Sequence, residues 1–150
     1  MTSKAVVDDF VAQRTWAVVG ASRDQKKFGN MAFRELRRKG YRVIPINRNA
    51  KEIEGDPSYP NLEALPEPVD AVLVVTPPVE TERVVQDAAK ANIRRVWLQP
   101  GAESDAAIRF CEANGITVVH GECIMMFAGI PGFGHRAHRW AWGLLGKLPK

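Results

Sequence analysis

A turn of three small residues is the part of this sequence best suited to hold an anion. The turn, Gly20-Ala21-Ser22, follows the apolar run Trp16–Val19 and precedes a segment with helical spacing that starts near Gly29. Where a strand, a small turn and a helix start follow one another, free backbone N–H groups and the positive end of the helix dipole point to the same place. The connecting loop is basic and contains Arg23, Lys26 and Lys27. The pattern predicts a phosphate site, although an α/β domain that binds nothing can use the same turn.

A cysteine and the histidines are the other residues with reactive side chains. Cys123 follows the last predicted strand, where its thiolate could attack the disulfide of an oxidised ligand, form a mixed disulfide and release the ligand's other thiol. Free cysteine is also commonly a buried apolar residue. The three histidines are His120, His135 and His138. Together with Cys123 they match no standard spacing of zinc ligands, so we expect no metal site. No Ser-His-Asp set or carboxylate pair marks a catalytic centre, so we expect binding rather than catalysis.

The elements that position these residues alternate along the chain. Short apolar runs predict five strands, at Trp16–Val19, Tyr41–Ile46, Val69–Val75, Arg95–Leu98 and Ile116–His120. Helical spacing predicts helices at Ala5–Gln13, Gly29–Gly40, Val79–Ala91 and Ser104–Asn114. The alternation predicts an α/β fold with right-handed crossovers, a Rossmann-like, doubly wound parallel sheet of about five strands in a single domain.

The same patterns predict several local details. Met31, Phe33 and Leu36 are expected to face inward from the second helix. Pro45 is expected near a strand end or at a bulge, because proline donates no ladder hydrogen bond. Residues 50–61 have the composition of a loop. We assign residues 1–134 to the domain, with a core at about 15–126, and residues 135–150 to a basic tail that contains tryptophan.

The composition argues against several classes of partner. The 150 residues have a net charge of +4, but residues 135–150 hold four basic and no acidic residues, which leaves 17 of each in residues 1–134. No basic recognition element indicates a nucleic acid partner. No apolar run is long enough to span a bilayer, and the N-terminus lacks the apolar core of a signal peptide. The two cysteines form no disulfide framework, so we expect a cytoplasmic protein.

The strand ends indicate which nucleotide fits. A dinucleotide fingerprint needs G-x-G-x-x-G and an acidic residue about 20 positions on, whereas no glycine follows Gly20 until Gly29 and the second strand ends at Asn47-Arg48. The missing carboxylate argues against NAD as the ligand. Arg48 could hold the 2′-phosphate of NADP, so an NADP-dependent oxidoreductase is an alternative function. A longer, basic turn suits coenzyme A (CoA), which carries a diphosphate and a further ribose phosphate.

An ordered set of motifs connects this hypothesis to a family. The set consists of Val18-Val-Gly-Ala-Ser22, Gly40-Tyr-Arg-Val-Ile-Pro-Ile-Asn47, Ile53-Glu-Gly55, Val69-Asp-Ala-Val72, Val96-Trp-Leu-Gln99 with Gly101, and Gly115-Ile116 leading to Cys123. Over about residues 15–126 it resembles the small stand-alone CoA-binding domain proteins, which are similar to the N-terminal domain of the succinyl-CoA synthetase alpha subunit. The synthetase's second domain has no counterpart here, and we expect no ligase activity from this chain alone.

The resemblance implies a Rossmann-like CoA-binding fold with ligand groups at three places. The phosphates would lie near Gly20, Ala21 and Ser22. The adenine would lie near Asn47, Thr76 and Pro77, and the pantetheine arm would run towards Gln99 and Cys123. Charge and position add Lys27, Arg48 and Lys51, and Gly29 starts the helix beside the phosphates. We therefore predict a protein that binds CoA or an acyl-CoA without catalysis. A subunit that presents CoA to a larger enzyme is an alternative, and a homodimer or an enzyme partner stays open.

Overall fold

The computed structural model describes residues 3–127, in which a parallel sheet is flanked by helices and accompanied by a small hairpin. In chain order the strands are β1 (Thr15–Val19), β2 (Arg42–Ile46), β3 (Glu52–Ile53), β4 (Asp56–Pro57), β5 (Ala71–Val74), β6 (Arg95–Leu98) and β7 (Thr117–Val119). The helices are α1 (Lys4–Val11), α2 (Phe28–Arg38), α3 (Pro78–Lys90) and α4 (Asp105–Ala113). Short 3-10 turns cover Leu62–Ala64 and Ile124–Met126.

The strands of the parallel sheet lie in the order β2-β1-β5-β6-β7, and all their pairings are parallel. The chain moves outward from β1 to β2, then returns to the other side of β1 to form β5. The order therefore reverses between β1 and β5, which is the point where doubly wound sheets bind ligands beyond the carboxyl ends of their strands. The predicted fold class is confirmed.

Alternate residues of each strand face opposite layers of helices, because side chains along a strand point to opposite faces. Trp16 and Val18 of β1 pack in the core layer that contains side chains of α1 and α2. Ala17 and Val19 pack in the layer that contains side chains of α3 and α4. Both faces of the sheet are thus covered, and this explains why the strands are almost continuously apolar.

The predicted loop at residues 50–61 contains a secondary structure that the sequence pattern missed. It forms the antiparallel hairpin β3–β4, with Glu52 paired to Pro57 and Ile53 paired to Asp56. Glu54 in the tight turn has a φ of +52°. Two-residue strands are too short to produce a recognisable alternation, so composition alone indicated a loop.

The expected inward position of Met31 in α2 is wrong. Met31 is 46% exposed, whereas Gly29, Ala32, Phe33 and Leu36 are buried. These four residues have the i, i+3, i+4, i+7 spacing of one helix face, and Met31 lies outside that face because two small residues, not the long side chain, contact the sheet layer. Phe33 and Leu36 are buried as predicted.

Pro45 lies next to the last residue of β2, near the strand end as predicted. β2 is an edge strand of the five-stranded sheet, and the carbonyl of Pro45 accepts a hydrogen bond from the backbone N–H of Tyr59 at 3.2 Å on its outer side. The missing N–H of the proline therefore costs no hydrogen bond to β1.

The predicted tail at 135–150 and the domain boundary at residue 134 lie outside the described residues. Between residues 3 and 127, no helix combines the length and apolar character that crossing a bilayer requires.

Candidate functional site

A cavity of about 910 Å³ lies at the carboxyl ends of β1, β2 and β5. The loops that follow these three strands form its floor, and one face of α3 and the segment 60–62 form its walls. Nine of the predicted site residues line it, namely Gly20, Ala21, Ser22, Lys27, Gly29, Asn47, Arg48, Thr76 and Pro77. The cavity thus occupies the crevice where the strand order reverses.

Gly20 allows the two central strands to approach closely at the edge of this cavity. Its φ is +122°, and a Cβ atom there would lie 2.2 Å from the carbonyl oxygen of Val75, which follows β5. Gly29 likewise allows the start of α2 to pack closely against the turn after β1, because a Cβ atom on it would lie 2.6 Å from the carbonyl oxygen of Gly20. No larger residue fits either position without moving backbone.

The N-terminus of α2 opens on the cavity without a capping side chain. Lys27 occupies the N-cap position and contributes no side-chain hydrogen bond. The backbone N–H groups of Asn30 and Met31 both donate to the Lys27 carbonyl at 3.1 Å. The N–H groups of Phe28 and Gly29 are left with no acceptor among residues 3–127, and both residues line the cavity.

α3 also begins at the crevice without a side-chain cap. Its N-cap residue, Pro77, has no side chain that can cap, and Pro78 stands at the first helical position. By contrast, Ser3 caps α1 and Ser104 caps α4 with their hydroxyl groups. Within the described part of the chain, the two helices that start at the cavity are the two that lack a side-chain cap. Of these two helices, however, only α2 presents unpaired N–H groups to the cavity among the described residues, because Pro78 has no N–H and Val79 does not line it.

The backbone of Ser22 is less available to a ligand than the sequence pattern implied. Its N–H donates to Oδ1 of Asn30 at 2.8 Å, and its carbonyl accepts from Nδ2 of Asn30 at 2.6 Å. The Ser22 N–H is therefore already paired, and a place for Ser22 beside a phosphate stays a prediction. The Ser22 hydroxyl accepts a hydrogen bond from the N–H of Asp24 at 3.1 Å, which shapes the basic loop into a turn.

Asn47 and Thr76 line the cavity but use their polar side-chain atoms in internal hydrogen bonds. Nδ2 of Asn47 donates to the Ala21 carbonyl at 2.9 Å, while its Oδ1 accepts from the backbone N–H groups that follow it, those of Asn49 and Ala50. The Thr76 hydroxyl bonds to that of Thr81 on α3 at 2.8 Å. Both residues join neighbouring loops, and so shape the walls of the cavity.

Five charged side chains line the cavity, the cations Lys27, Arg48 and Arg83 and the carboxylates Glu80 and Asp87. The three on α3, at positions 80, 83 and 87, were not predicted from the sequence. Burial raises the pKa of Asp87 above its usual range, and the nearby charge of Glu63 adds to this effect. Residues 80, 83, 84 and 87 have the spacing of one helix face. This shared face is the only feature of the sequence from which their common position could have been predicted.

Three predicted site residues do not line the cavity. Lys51 precedes the hairpin, and Gln99 and Cys123 follow β6 and β7, on the far side of β5 from the crevice. Nε2 of the buried Gln99 donates to Sγ of the half-buried Cys123 at 3.0 Å, and its Oε1 accepts from the N–H of Ile124 at 3.0 Å. Their contact with a pantetheine arm stays a prediction.

Metal ligands do not converge in residues 3–127, where no three His, Cys, Asp or Glu side chains form a group able to hold an ion. Of the histidines considered above, His135 and His138 lie outside this range.

Comparison with known proteins identifies the family to which this sequence is similar. A sequence model described as "CoA binding domain" matches residues 14–128. The acetate–CoA ligase (ADP-forming) II subunit alpha of Pyrococcus furiosus is 29% identical over 92 residues, which are 61% of this chain and 20% of that protein. The acetate–CoA ligase (ADP-forming) I of Archaeoglobus fulgidus is 27% identical over 120 residues, 73% of this chain and 18% of that protein.

Among solved structures, a conserved hypothetical protein from Pyrococcus furiosus is 40% identical, with a TM-score of 0.71. The match covers 74% of this chain and 96% of that one. This chain therefore spans about a fifth of the length of the two ligases but nearly the whole of a small protein of similar structure.

Proposed function

This chain belongs to the CoA binding domain family, and from this premise we propose that it binds CoA or an acyl-CoA in the cavity at the carboxyl ends of β1, β2 and β5, without catalysing a reaction. The observation that carries the proposal is the uncapped N-terminus of α2, where the N–H groups of Phe28 and Gly29 have no acceptor among residues 3–127 and both residues line the crevice. Unsatisfied N–H groups at the positive end of a helix attract phosphate oxygens. The diphosphate of CoA supplies such oxygens between its adenosine and pantetheine parts.

The remaining features of the cavity suit the adenosine end of the ligand. A volume of about 910 Å³ is in the range of ordinary small-molecule sites. Lys27, Arg48 and Arg83 supply positive charge for the diphosphate and the ribose phosphate. Glu80 and Asp87 offer acceptors for ribose hydroxyls or the adenine amino group.

The proposal that the site binds without turnover rests on the chemistry of its lining. The described residues that line the cavity include no histidine and no cysteine, which are the side chains most often used for proton transfer and thiol chemistry near neutral pH. Incubation with acetyl-CoA while the released CoA thiol is measured tests this statement. Release of free thiol at a rate proportional to protein concentration would contradict it.

Calorimetric titration with CoA, dephospho-CoA, NADP and NAD tests the binding proposal. We expect CoA to bind most tightly, because only CoA and NADP carry an additional ribose phosphate, only CoA and dephospho-CoA carry pantetheine, and CoA alone carries both. The variants Arg48→Gln and Arg83→Gln should reduce the preference for CoA over dephospho-CoA, whereas Arg109→Gln, on the exposed surface of α4, serves as the matched control. Binding of NADP but not of CoA would replace the proposal with the oxidoreductase alternative.

A second candidate function is presentation of CoA to a larger enzyme. The observation that favours it is the name and length of the curated relatives, which are CoA ligases about five times as long as the matched region. We expect a partner to leave the CoA cavity open. Size-exclusion chromatography of the chain with candidate ligase subunits, with and without CoA, tests the idea; co-elution that CoA abolishes would contradict it.

A further inference from the structure

A single carboxylate oxygen of the hairpin β3–β4 holds two side chains of α2. The side chain of Glu54 is 7% exposed. Its Oε2 accepts a hydrogen bond from Nδ2 of Asn30 at 3.1 Å and another from Nη1 of Arg34 at 2.9 Å. Both bonds are charge-assisted, so they are stronger than bonds between neutral groups.

The two side chains held by Glu54 both bind the backbone of the basic loop that borders the cavity, Asn30 at its start and Arg34 in its middle. The fully buried Asn30 pairs with the N–H and the carbonyl of Ser22, as described above. Nη2 of Arg34 donates to the carbonyl of Gln25 at 3.1 Å. The loop between β1 and α2 therefore connects through two parallel paths to one atom of Glu54.

The amide of Asn30 shows why the carboxylate matters for the geometry. Its Oδ1 and one N–H are used by the backbone of Ser22, and the second N–H points to Glu54. Without an acceptor at Glu54, that N–H would be buried with no partner, and a buried unsatisfied donor is unfavourable. The amide would gain by turning away, and Ser22 would then lose its two bonds.

We propose that Glu54 is a positioning residue for the ligand site, one that fixes the loop from Ser22 to Lys27 in the conformation that binds phosphate. Glu54 does not line the cavity and acts through Asn30 and Arg34. The inference rests on the proposed function, because the loop matters only if a phosphate ligand binds beside it. The class of ligand affected is any that places a diphosphate at the start of α2.

The experiment compares three variants of the full chain. Glu54→Ala removes the acceptor, Glu54→Gln keeps an oxygen but removes the charge, and Asp56→Ala is the matched control on the same hairpin. Asp56 forms an ion pair with Arg37 at 3.1 Å, and its carboxylate has no recorded hydrogen bond to Asn30 or to the loop, although Arg37 also donates to the backbone carbonyl of Glu54 at 3.0 Å. Two readouts are used, the dissociation constant for CoA by calorimetry and amide hydrogen exchange of Ser22 without ligand.

We expect Glu54→Ala to weaken CoA binding about tenfold, Glu54→Gln to weaken it less, and Asp56→Ala to leave it unchanged. Exchange at Ser22 should accelerate in the same order, and by a larger factor than exchange in the central strands β1 and β5, which rises only as far as the free energy of unfolding falls. That contrast separates positioning from general loss of stability, which would raise exchange at Ser22 and in the sheet by the same factor. If Glu54→Ala does not fold, Glu54→Gln against Asp56→Ala decides the question by the same two readouts.

The two proposals fail in different ways. If the wild-type chain does not bind CoA, the proposed function is wrong, and the exchange of Ser22 still reports whether Glu54 holds the loop. If the wild type binds CoA and the Glu54 variants bind it as tightly as Asp56→Ala does, the positioning role is wrong and the proposed function stands.

Discussion

Gly29 and Gly20 are in backbone contact, since a Cβ atom on Gly29 would lie 2.6 Å from the carbonyl oxygen of Gly20. The contact seats the start of α2 directly on the turn after β1, in spite of the eight residues that separate the two glycines. In a dinucleotide fingerprint the third glycine gives close packing of helix and strand. Here Gly29 gives the same packing at a longer spacing, and the extra residues form the basic loop.

Replacement of Gly29 by alanine should therefore destabilise the chain. At an unobstructed helix position alanine is favoured over glycine by about 1 kcal/mol, but the methyl group here would overlap the Gly20 carbonyl. We expect a net loss of about 1–3 kcal/mol, the usual cost of overpacking, together with weaker CoA binding. Urea unfolding and calorimetry measure the two effects.

Gly40→Ala is the control for that substitution. Gly40 has a φ of +94°, and a Cβ atom there has no neighbour within 4 Å. The variant should lose stability through backbone strain alone, by about 1 kcal/mol, and bind CoA normally because Gly40 is outside the cavity. Equal loss of CoA affinity in both variants would mean that affinity follows stability rather than the contact.

Lys27→Ser should change stability and binding in opposite directions. A serine at this N-cap position, where the backbone is already extended, can accept a hydrogen bond from the open N-terminus of α2 and stabilise the chain by about 1 kcal/mol. The same change removes a cation and occupies an N–H group that we assign to phosphate. CoA binding should weaken while the melting temperature rises.

The neighbouring variant Lys26→Ser is the control for charge. Lys26 is exposed and does not line the cavity, so we expect little change in either quantity. A fall in the stability of Lys27→Ser would contradict the expected gain from a capping side chain, and a gain in CoA affinity would contradict anion binding at this helix end.

Acid should remove the stabilisation that Glu54 provides. Burial raises the pKa of Glu54, but the hydrogen bonds from Asn30 and Arg34 and the charges of Arg34 and Arg37 lower it by more, so its pKa is below the usual range. The folded chain thus binds this proton less readily than the unfolded chain. The stabilisation is present above the unfolded pKa and is lost as the pH falls through the folded pKa.

Urea unfolding of the wild type and Glu54→Gln between pH about 7 and about 3 tests this linkage. The wild type should be the more stable at neutral pH, and the difference should narrow as the pH falls. A difference that stays constant over this range would contradict the assignment.

The two cysteines should differ in reactivity. Burial, and to a smaller extent the charge of Glu112, raises the pKa of Cys111 to about 11, so very little thiolate forms near neutral pH. Cys123 is partly exposed. Iodoacetamide at neutral pH should label Cys123 first and reach Cys111 only on unfolding; Cys123→Ser should remove the fast reaction. Equal rates at both residues would contradict the difference.

The order of the elements and the position of the cavity follow from the sequence. Continuous apolar runs such as Val69–Val75 indicate strands buried on both faces, and helices between them require parallel strands. Because parallel strands end at the same edge, the turn at Gly20 and the segment at Thr76 had to meet there. The glycine at position 20 indicated the tight turn in the sequence, whereas the close approach of Gly29 to Gly20 is seen only in the structure.

Only the tertiary structure decided which polar groups are free to meet a ligand. Asn47 and Thr76 have suitable side chains, but their hydrogen bonds are made internally. The bond from Asn30 to Glu54 joins residues 24 positions apart, and it depends on how the hairpin folds against α2. Gln99 and Cys123 follow strands on the far side of β5, away from the cavity. Local pattern determines elements and their ends, whereas hydrogen bonds between distant loops are set by packing in three dimensions.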